Sequence, residues 1–209
     1  MSYHDEQETL ENLKAWWAQW GNALTWVVLA IALVAAGWNG WHYWQRRQTG
    51  EAVALYEQVQ QAVTTGDKAM IARSASDLED KFGSTPYAQM TGLLAAKGLY
   101  AANDTAGAKA QLDWVIKHAK DAEFKQIAQL RLAGLLLDEK AYDAGLQLVS
   151  DPESDGFKGL FADRRGDLLA AQGKRDDARK AYQNALDSLA SSEPSQRQLI
   201  QFKLDALGG

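Results

Sequence analysis

The chain has 209 residues, of which 22 are basic and 27 acidic, and it contains no cysteine. The acidic balance argues against a nucleic-acid partner, because such a surface needs a basic excess. The absence of cysteine excludes disulfides and thiol chemistry. The three histidines, His4, His42 and His118, lie far apart in the sequence and form no metal-ligand pattern. We therefore expect no cofactor, no metal and no enzymatic activity, and the alanine- and leucine-rich text with three prolines indicates an all-α protein.

Residues 1–20 are predicted to form an amphipathic segment. Leu10, Leu13, either Trp16 or Trp17, and Trp20 recur at the helical spacing of three to four residues. Acidic residues occupy the first turns, where they suit the helix dipole. This segment either docks on the membrane surface or anchors the end of the span that follows.

Residues 21–44 are predicted to form a single transmembrane helix. No Asp, Glu, Lys or Arg occurs between Ala15 and Gln45, and seven of the eight tryptophans lie in or beside this stretch. A helix of this length spans roughly 36 Å, enough to cross a bilayer core of about 30 Å. A cleaved signal peptide ending at Val34-Ala35-Ala36 is the alternative. An uncleaved anchor is favoured because a long acidic segment precedes the apolar run.

One face of this span carries small residues at four-residue spacing, Ala32, Ala36 and Gly40. Small side chains let a second membrane helix approach closely. We therefore predict membrane-helix contact on this face, and contact with lipid elsewhere.

Residues 45–209 are predicted to form a domain of paired helices that ends in a capping helix. Glycine, asparagine, aspartate and proline punctuate the text at positions typical of caps and turns. The connections are short, so successive helices should pack antiparallel. The expected helices cover about 50–65, 68–82, 86–101, 105–118, 122–138, 141–149, 157–172, 175–190 and 196–207.

A repeat is visible within these helices. Gly166 precedes the predicted turn at Gly173, Ala178 follows that turn, and Tyr182 and Leu186 come after Ala178 at helical spacing. Two small residues would allow the helices of a hairpin to close, and the two larger ones would pack on a neighbouring hairpin. This spacing resembles the tetratricopeptide repeat, so the fold class is a transmembrane helix followed by a tetratricopeptide-repeat-like helical solenoid.

Counting back from Ala178 by one repeat length gives Ala144, and two further steps give Ala108 and Ala72. On the first helices of the hairpins, the same counting matches Leu132 and Ala96 to Gly166. The inner groove of such an array binds extended chain segments. The residues predicted to line it and to bind partners are Met90, Leu93, Lys97, Tyr100, Gln129, Ala133, Leu136, Asp163 and Asp167.

Arg131 and Arg165 are separated by the same step as Ala144 and Ala178, which places them at equivalent positions of consecutive repeats. An arginine on a packed helix needs a partner, and a carboxylate is expected. The candidate carboxylates are Asp143, Asp163, Asp167 and Asp177.

The whole chain resembles the YfgM family. The resemblance rests on the acidic amphipathic start, on the single anchor ending in Gly37-Trp38 and Tyr43-Trp44, on the segment Arg131–Ala133, and on the run Arg165–Gly173. It implies an ancillary subunit of the bacterial SecYEG translocon, anchored in the inner membrane. It further implies an amino terminus in the cytoplasm and a periplasmic repeat domain that, with the prolyl isomerase PpiD, chaperones exported unfolded polypeptides.

The charges that flank the span favour the opposite orientation. Arg46 and Arg47 follow it, whereas Lys14 is the nearest basic residue before it. The positive-inside rule alone would place the repeat domain in the cytoplasm. The alternative function is therefore a scaffold subunit of an envelope or cell-division complex that faces the cytoplasm.

Overall fold

A computed structural model describes residues 3–189 and 193–208. Within the first helix, the side chains of residues 3–13, 15 and 44–48 lie outside this description, and these include Arg46 and Arg47. The chain divides into two compact units, Met1–Gly50 and Glu51–Gly209. The predicted domain boundaries, 1–20, 21–44 and 45–209, remain predictions.

The first unit is helical and carries the apolar span. Helix α1 runs without a break through Tyr3–Thr65, and the boundary between the two units falls within it. Among the described residues, Trp16–Tyr43 is the stretch long and apolar enough to cross a membrane, and its side chains are almost entirely exposed. The hydroxyl of Thr25, in the apolar middle of the span, is satisfied internally, because its Oγ1 donates to the carbonyl of Gly21 at 2.7 Å. Such an apolar surface requires lipid or other membrane helices around it.

The second unit is all-α in its described residues, as predicted. The last part of α1 and the next helix form the first helical pair, and three further pairs and a final helix follow. The bounds of the helices after α1 agree with the sequence predictions to within two residues where both ends are described, whereas the helix predicted at about 50–65 is the end of α1, which begins at Tyr3. Residue 190 and the turn at 191–192 lie outside the described residues. The helices are α2 Lys68–Phe82, α3 Pro86–Ala101, α4 Thr105–His118, α5 Ala122–Asp138, α6 Tyr142–Leu148, α7 Lys158–Ala171, α8 Arg175–Ser188 and α9 Pro194–Ala206, with a 3₁₀ turn at Asp155–Phe157 before α7.

All four hairpins turn through one residue with left-handed backbone. These residues are Gly66, Asn103, Lys140 and Gly173, with φ between 59° and 77°. The next residue's amide donates to the carbonyl five positions back, which is the Schellman closure of a helix carboxyl end. The four bonds are Asp67 N to Ala62 O (3.1 Å), Asp104 N to Leu99 O (2.8 Å), Ala141 N to Leu136 O (2.8 Å) and Lys174 N to Leu169 O (2.9 Å).

The spacing of these turn residues gives the repeat length. The distance in the sequence from Gly66 to Asn103 equals that from Asn103 to Lys140, whereas the distance from Lys140 to Gly173 is shorter. The equivalents of Ala178 are therefore Gly145, Ala108 and Ile71, and all are buried. The sequence-based counting was wrong by one residue at Ala144 and at Ala72, both of which are exposed. The physical reason is that the period is uneven, so counting by a nearly constant step drifts out of register.

The same correction applies to the first helix of each hairpin. Seven residues before each turn residue lie Val59, Ala96, Ala133 and Gly166, and all are buried. Leu132 is therefore one position away from the equivalent of Gly166. Close packing explains the small size at the last hairpin, since a Cβ added at Gly166 would lie 2.4 Å from Cε1 of Tyr182.

Helix α9 covers the open end of the stack, as a capping helix should. Ile200 is fully buried against Tyr182 and Leu186 of α8. Arg197 Nη1 donates to the carbonyl of Leu189 at 3.0 Å and also to that of Leu186. The guanidinium thus satisfies carbonyls near the end of α8 that have no partner within that helix.

A half-buried carboxyl lies where α2 meets α4. Glu79 Oε1 has no hydrogen-bond partner among the described residues, and neither has Oε1 of Gln111. Burial raises the pKa of Glu79 from 4.5 to about 7; Asp80 acts in the same direction, whereas Gln111 and His118 oppose it. The protonated form of Glu79 is therefore favoured in the folded chain below about pH 7.

We expect Lys140→Gly to stabilise the domain. Lysine pays a steric cost in the left-handed region that glycine avoids, and the greater freedom of glycine in the unfolded chain offsets only part of it. The expected gain is about 0.5–1 kcal/mol in the free energy of unfolding, measured by denaturant titration of the full chain in detergent. Glu139→Gly is the comparison variant: Glu139 has φ of −78° and its carboxylate pairs with Lys109 Nζ at 2.7 Å, so this variant should be less stable than the wild type. Destabilisation by Lys140→Gly would contradict the turn assignment.

We expect Glu79→Gln to stabilise the domain in a pH-dependent way. The raised pKa means that the folded state holds its proton while the unfolded state releases it, so wild-type stability falls as the pH rises from 4.5 to about 7. Glutamine removes this fall. Discounted for the partial exposure of the carboxyl, the gain is about 1–2 kcal/mol at pH 8 and disappears near pH 4. Equal wild-type and variant stability at pH 8 would show that the carboxyl is not buried.

Candidate partner-binding cleft

A cleft of about 520 Å³ lies on the face formed by the first helices of the hairpins, α3, α5 and α7. These helices contact one another in sequence order, so the cleft crosses from one repeat to the next. Its lining combines apolar and charged side chains. The lining residues are Ala96, Lys97, Tyr100, Leu112, Arg131, Gly134, Leu135, Asp138 and Arg164.

The charge of the cleft is opposite to that of the domain. From Glu51 onward the chain has 19 basic and 23 acidic residues, a net charge of −4. The cleft has three cations, Lys97, Arg131 and Arg164, and one carboxylate, Asp138. Tyr100 Oη donates to Asp138 Oδ2 at 3.3 Å, so part of that carboxylate's hydrogen-bonding capacity is already used.

Arg131 is positioned by a backbone carbonyl and not by a carboxylate. Its Nη1 donates to the carbonyl of Leu93 on α3 at 3.0 Å. Burial lowers the pKa of Arg131 from its ordinary value, although a guanidinium still remains charged. The bond to α3 holds the side chain across the gap between the first helices of two hairpins, where it lines the cleft.

Arg165 has a different role from Arg131. Its Nη2 donates to the carbonyls of Val149 and Ser150 beyond the end of α6, at 3.0 Å for Val149. The prediction that Arg131 and Arg165 are equivalent and pair with carboxylates was therefore wrong. Counted from the turn residues, Arg164 is the equivalent of Arg131, and both lie nine residues before a left-handed residue.

Arg164 is weakly paired. Its Nη1 lies 3.5 Å from Asp167 Oδ2, while its Nε is buried without a partner among the described residues. The guanidinium lies over Gly134, where an added Cβ would be 3.6 Å from Cζ. That distance is an ordinary van der Waals contact, so the guanidinium of Arg164 packs close to Gly134 at the cleft.

Two of the predicted groove residues line this cleft, Lys97 and Tyr100. Both are exposed, and no described residue forms an ion pair with Lys97. Leu93 and Ala133 are buried in the core beneath the helices, and Leu136 packs against the core. Their side chains support the groove from within.

Met90 and Gln129 lie outside the cleft lining. Met90 is 37% exposed. Gln129 is half-buried, and its Oε1 has no partner among the described residues.

Asp163 and Asp167 belong to a polar network that attaches α9 to α7. Lys203 Nζ lies 2.7 Å from Asp163 Oδ1 and 2.8 Å from Asp167 Oδ1. Tyr182 Oη donates to Asp167 Oδ1 at 2.9 Å. Burial raises the pKa of Asp163, and the bond from Lys203 opposes that effect. Both carboxylates thus have partners within the domain.

Sequence reasoning did not place the other seven lining residues in the groove, among them Gly134, Asp138 and Arg164. The signal that could have found Arg164 is its distance from the turn at Gly173, which equals the distance of Arg131 from Lys140. Asp138 could not be found from the repeat spacing, because it is the last residue of α5 and the turn that follows brings it to the cleft.

The one histidine of the domain has a structural role. His118 lies in the last turn of α4, its ring stacks on Trp114 at 4.7 Å, and its Nδ1 is 2.9 Å from the carbonyl of Trp114. Within residues 3–189 and 193–208, no cluster of His, Asp or Glu could hold a metal ion.

A single apolar helix, stacked hairpins and a cleft across their first helices define a membrane-anchored tetratricopeptide-like protein. Comparison with known families agrees, because the profile of the tetratricopeptide repeat-like domain matches residues 14–209. The match begins before the span and includes it. The anchor is therefore part of the pattern that the family shares.

Three curated relatives share nearly the full length of the chain. A protein of Neisseria gonorrhoeae is 31% identical over 207 residues, covering 97% of each chain. A protein of Escherichia coli is 26% identical over 208 residues, 98% of each chain, and one of Haemophilus influenzae is 25% identical over 206 residues, 97% and 98%. All three are named ancillary SecYEG translocon subunit, a name that describes no enzyme.

The chain belongs to this family, and its resemblance to the YfgM proteins is confirmed.

Proposed function

We propose that this chain is an ancillary subunit of the SecYEG translocon whose repeat domain binds exported polypeptides in the periplasm together with PpiD. The observation that carries the proposal is the similarity to ancillary translocon subunits over 97% of the chain, anchor and domain together. The fold supplies what such a subunit needs: a span that can lie beside other membrane helices and a cleft that can hold an extended chain.

The small-residue face of the span is the proposed contact with another membrane helix. Ala32, Ala36 and Gly40 lie on one side of α1, and a Cβ added at Gly40 would meet nothing within 4 Å. Close approach of backbones at small residues drives helix association in lipid, where the hydrophobic effect contributes little. A translocon helix is the proposed partner.

The cleft is the proposed contact with client chains. Lys97 and Tyr100 are its exposed residues from the predicted groove, and Arg131 and Arg164 extend it across two more helices. A lining that mixes apolar and charged groups suits extended polypeptide better than one small metabolite. Holding such segments apart is the proposed chaperone action.

The orientation follows from the proposed partners. Clients of a holding chaperone emerge on the periplasmic side, so the domain must lie there and the amino terminus in the cytoplasm. The pair Arg46–Arg47 favours the reverse, although charge bias weakens when a long folded domain follows the span. A cytoplasm-facing scaffold of an envelope or cell-division complex is the second candidate function, favoured by this pair alone.

We expect the tagged full chain, purified in mild detergent, to recover SecY and PpiD. Replacing the small-residue face by Ala32→Leu, Ala36→Leu and Gly40→Leu should reduce the recovery of SecY several-fold, because larger side chains hold the helices apart. The control is Ala23→Leu, Ala30→Leu and Gly37→Leu, the same changes on a different side of α1, about 120° around the helix.

The control triple should leave recovery unchanged. Failure of the wild-type chain to recover any translocon subunit or PpiD would contradict the proposed function. Equal losses in both triples would contradict the assigned contact face.

We expect alkaline phosphatase fused after residue 209 to be active, because the enzyme acquires its disulfides only in the oxidising periplasm. The same enzyme fused before residue 1 should be inactive. The reverse pattern would favour the cytoplasm-facing scaffold.

A further inference from the structure

We propose that the cleft selects acidic segments of extended polypeptides, with Lys97, Arg131 and Arg164 receiving their carboxylates. This inference rests on the proposed function and gives the chemistry of the client that the cleft recognises. It concerns a surface to which neither the family nor the names of the relatives assign a ligand.

Positive charge is concentrated at the cleft. Three cations from three successive first helices meet at one cleft, while the domain around them carries a net charge of −4. Charges of one sign in a concave surface raise the local concentration of the opposite sign. A segment rich in Asp and Glu is therefore favoured there, and a basic segment is disfavoured.

These three cations are incompletely paired inside the domain. No described residue pairs with Lys97, and Arg131 spends one donor on the carbonyl of Leu93. Asp167 Oδ1 already binds Lys203 and Tyr182, so Arg164 reaches only the second oxygen of that carboxylate at 3.5 Å. A guanidinium has five N–H donors in a planar fork, so both arginines have donors left for carboxylates of a ligand.

The two arginines are held in place before any ligand binds. Arg131 is held across α3 and α5 by its bond to Leu93, and Arg164 lies over Gly134 of α5. Side chains already fixed in place lose less conformational entropy when a ligand binds. Lys97, which is exposed and has no ion-pair partner among the described residues, supplies a flexible third charge.

The form of the cleft indicates a peptide and not a simple anion. Its volume of about 520 Å³ lies in the range of ligand sites. Apolar side chains from three helices, Ala96, Leu112 and Leu135, line it between the charges. Acidic residues that alternate with small or aliphatic ones therefore match the cleft, whereas phosphate alone would leave the apolar surface uncovered.

Asp138 provides a test of opposite sign within the same cleft. Its carboxylate would repel an acidic ligand, and Tyr100 Oη donates to it at 3.3 Å. An amide oxygen in place of the carboxylate could still accept that bond. Asp138→Asn should therefore remove the repulsion and keep the local geometry.

The test measures binding of fluorescein-labelled peptides to the wild-type full chain in detergent by fluorescence anisotropy. The acidic probe is an octapeptide in which Glu alternates with Leu and Ala, and the matched probe has Gln in place of Glu. We expect the acidic peptide to bind more tightly, and we expect added sodium chloride to weaken its binding because salt screens exposed charges. Sodium phosphate at the same ionic strength should displace it no better than chloride.

Four single variants locate the site. Lys97→Gln and Arg164→Gln should each weaken acidic-peptide binding about three-fold, and Asp138→Asn should tighten it about two-fold, as single exposed charges do. Lys120→Gln, which removes a charge from an exposed loop outside the cleft, should change nothing. A gain of affinity in Asp138→Asn cannot arise from misfolding, and circular dichroism checks the fold of the other variants.

Equal affinity for the Glu and Gln peptides would overturn the proposed selectivity. An effect of Lys120→Gln as large as that of Lys97→Gln, or specific displacement by phosphate, would overturn the assignment to a peptide in this cleft. Any of these results alongside recovery of SecY by the full chain would leave the translocon association standing. Loss of SecY recovery with acidic-peptide binding intact would instead overturn the proposed function and leave the cleft assignment standing.

Discussion

The closure of each hairpin is the constraint on which the domain depends. In each of the four hairpins the chain reverses because one residue takes the left-handed conformation and the following amide donates to a carbonyl five positions back. The left-handed residues are Gly66, Asn103, Lys140 and Gly173, and in each hairpin the amide of the following residue donates a hydrogen bond of 2.8–3.1 Å. Their uneven spacing sets which residues of the first helices face the cleft and which face the core. Arg164 therefore reaches the cleft, while its neighbour Arg165 binds the end of α6.

The helices could be predicted from the sequence because residues close together in the sequence determine where each helix ends. Thr65-Gly66-Asp67 and Gln172-Gly173-Lys174 contain the glycine that the left-handed turn prefers, and Pro86 stands in the first turn of α3. The register between repeats could not be predicted in the same way, since Lys140 is a poor residue for a left-handed turn and gives no signal. Alanines are so frequent that Ala144 matched the expected period although Gly145 is the buried residue.

The candidate site could be predicted only in part, because pairing between distant residues decides which charges remain available. Lys97 and Tyr100 were expected in the groove and line the cleft. Asp163 and Asp167 were expected there as well, but Lys203 of the last helix, which is distant from them in the sequence, binds both. With those carboxylates engaged by Lys203 outside the cleft lining, the lining itself holds three cations and one carboxylate. The span, in contrast, needed no long-range contact to be recognised, because bilayer length and aromatic ends are local properties.

Site-specific photo-crosslinking in living cells is the most direct test of the central claim, that the cleft across α3, α5 and α7 meets polypeptides leaving the translocon. A photoreactive residue at Tyr100, which lines the cleft, is compared with one at Lys117, which is exposed on α4 outside it. We expect crosslinks from Tyr100 to newly exported chains or to PpiD, and their loss when export is blocked. Crosslinks that are the same from both positions, or that join Tyr100 only to cytoplasmic proteins, would contradict this claim.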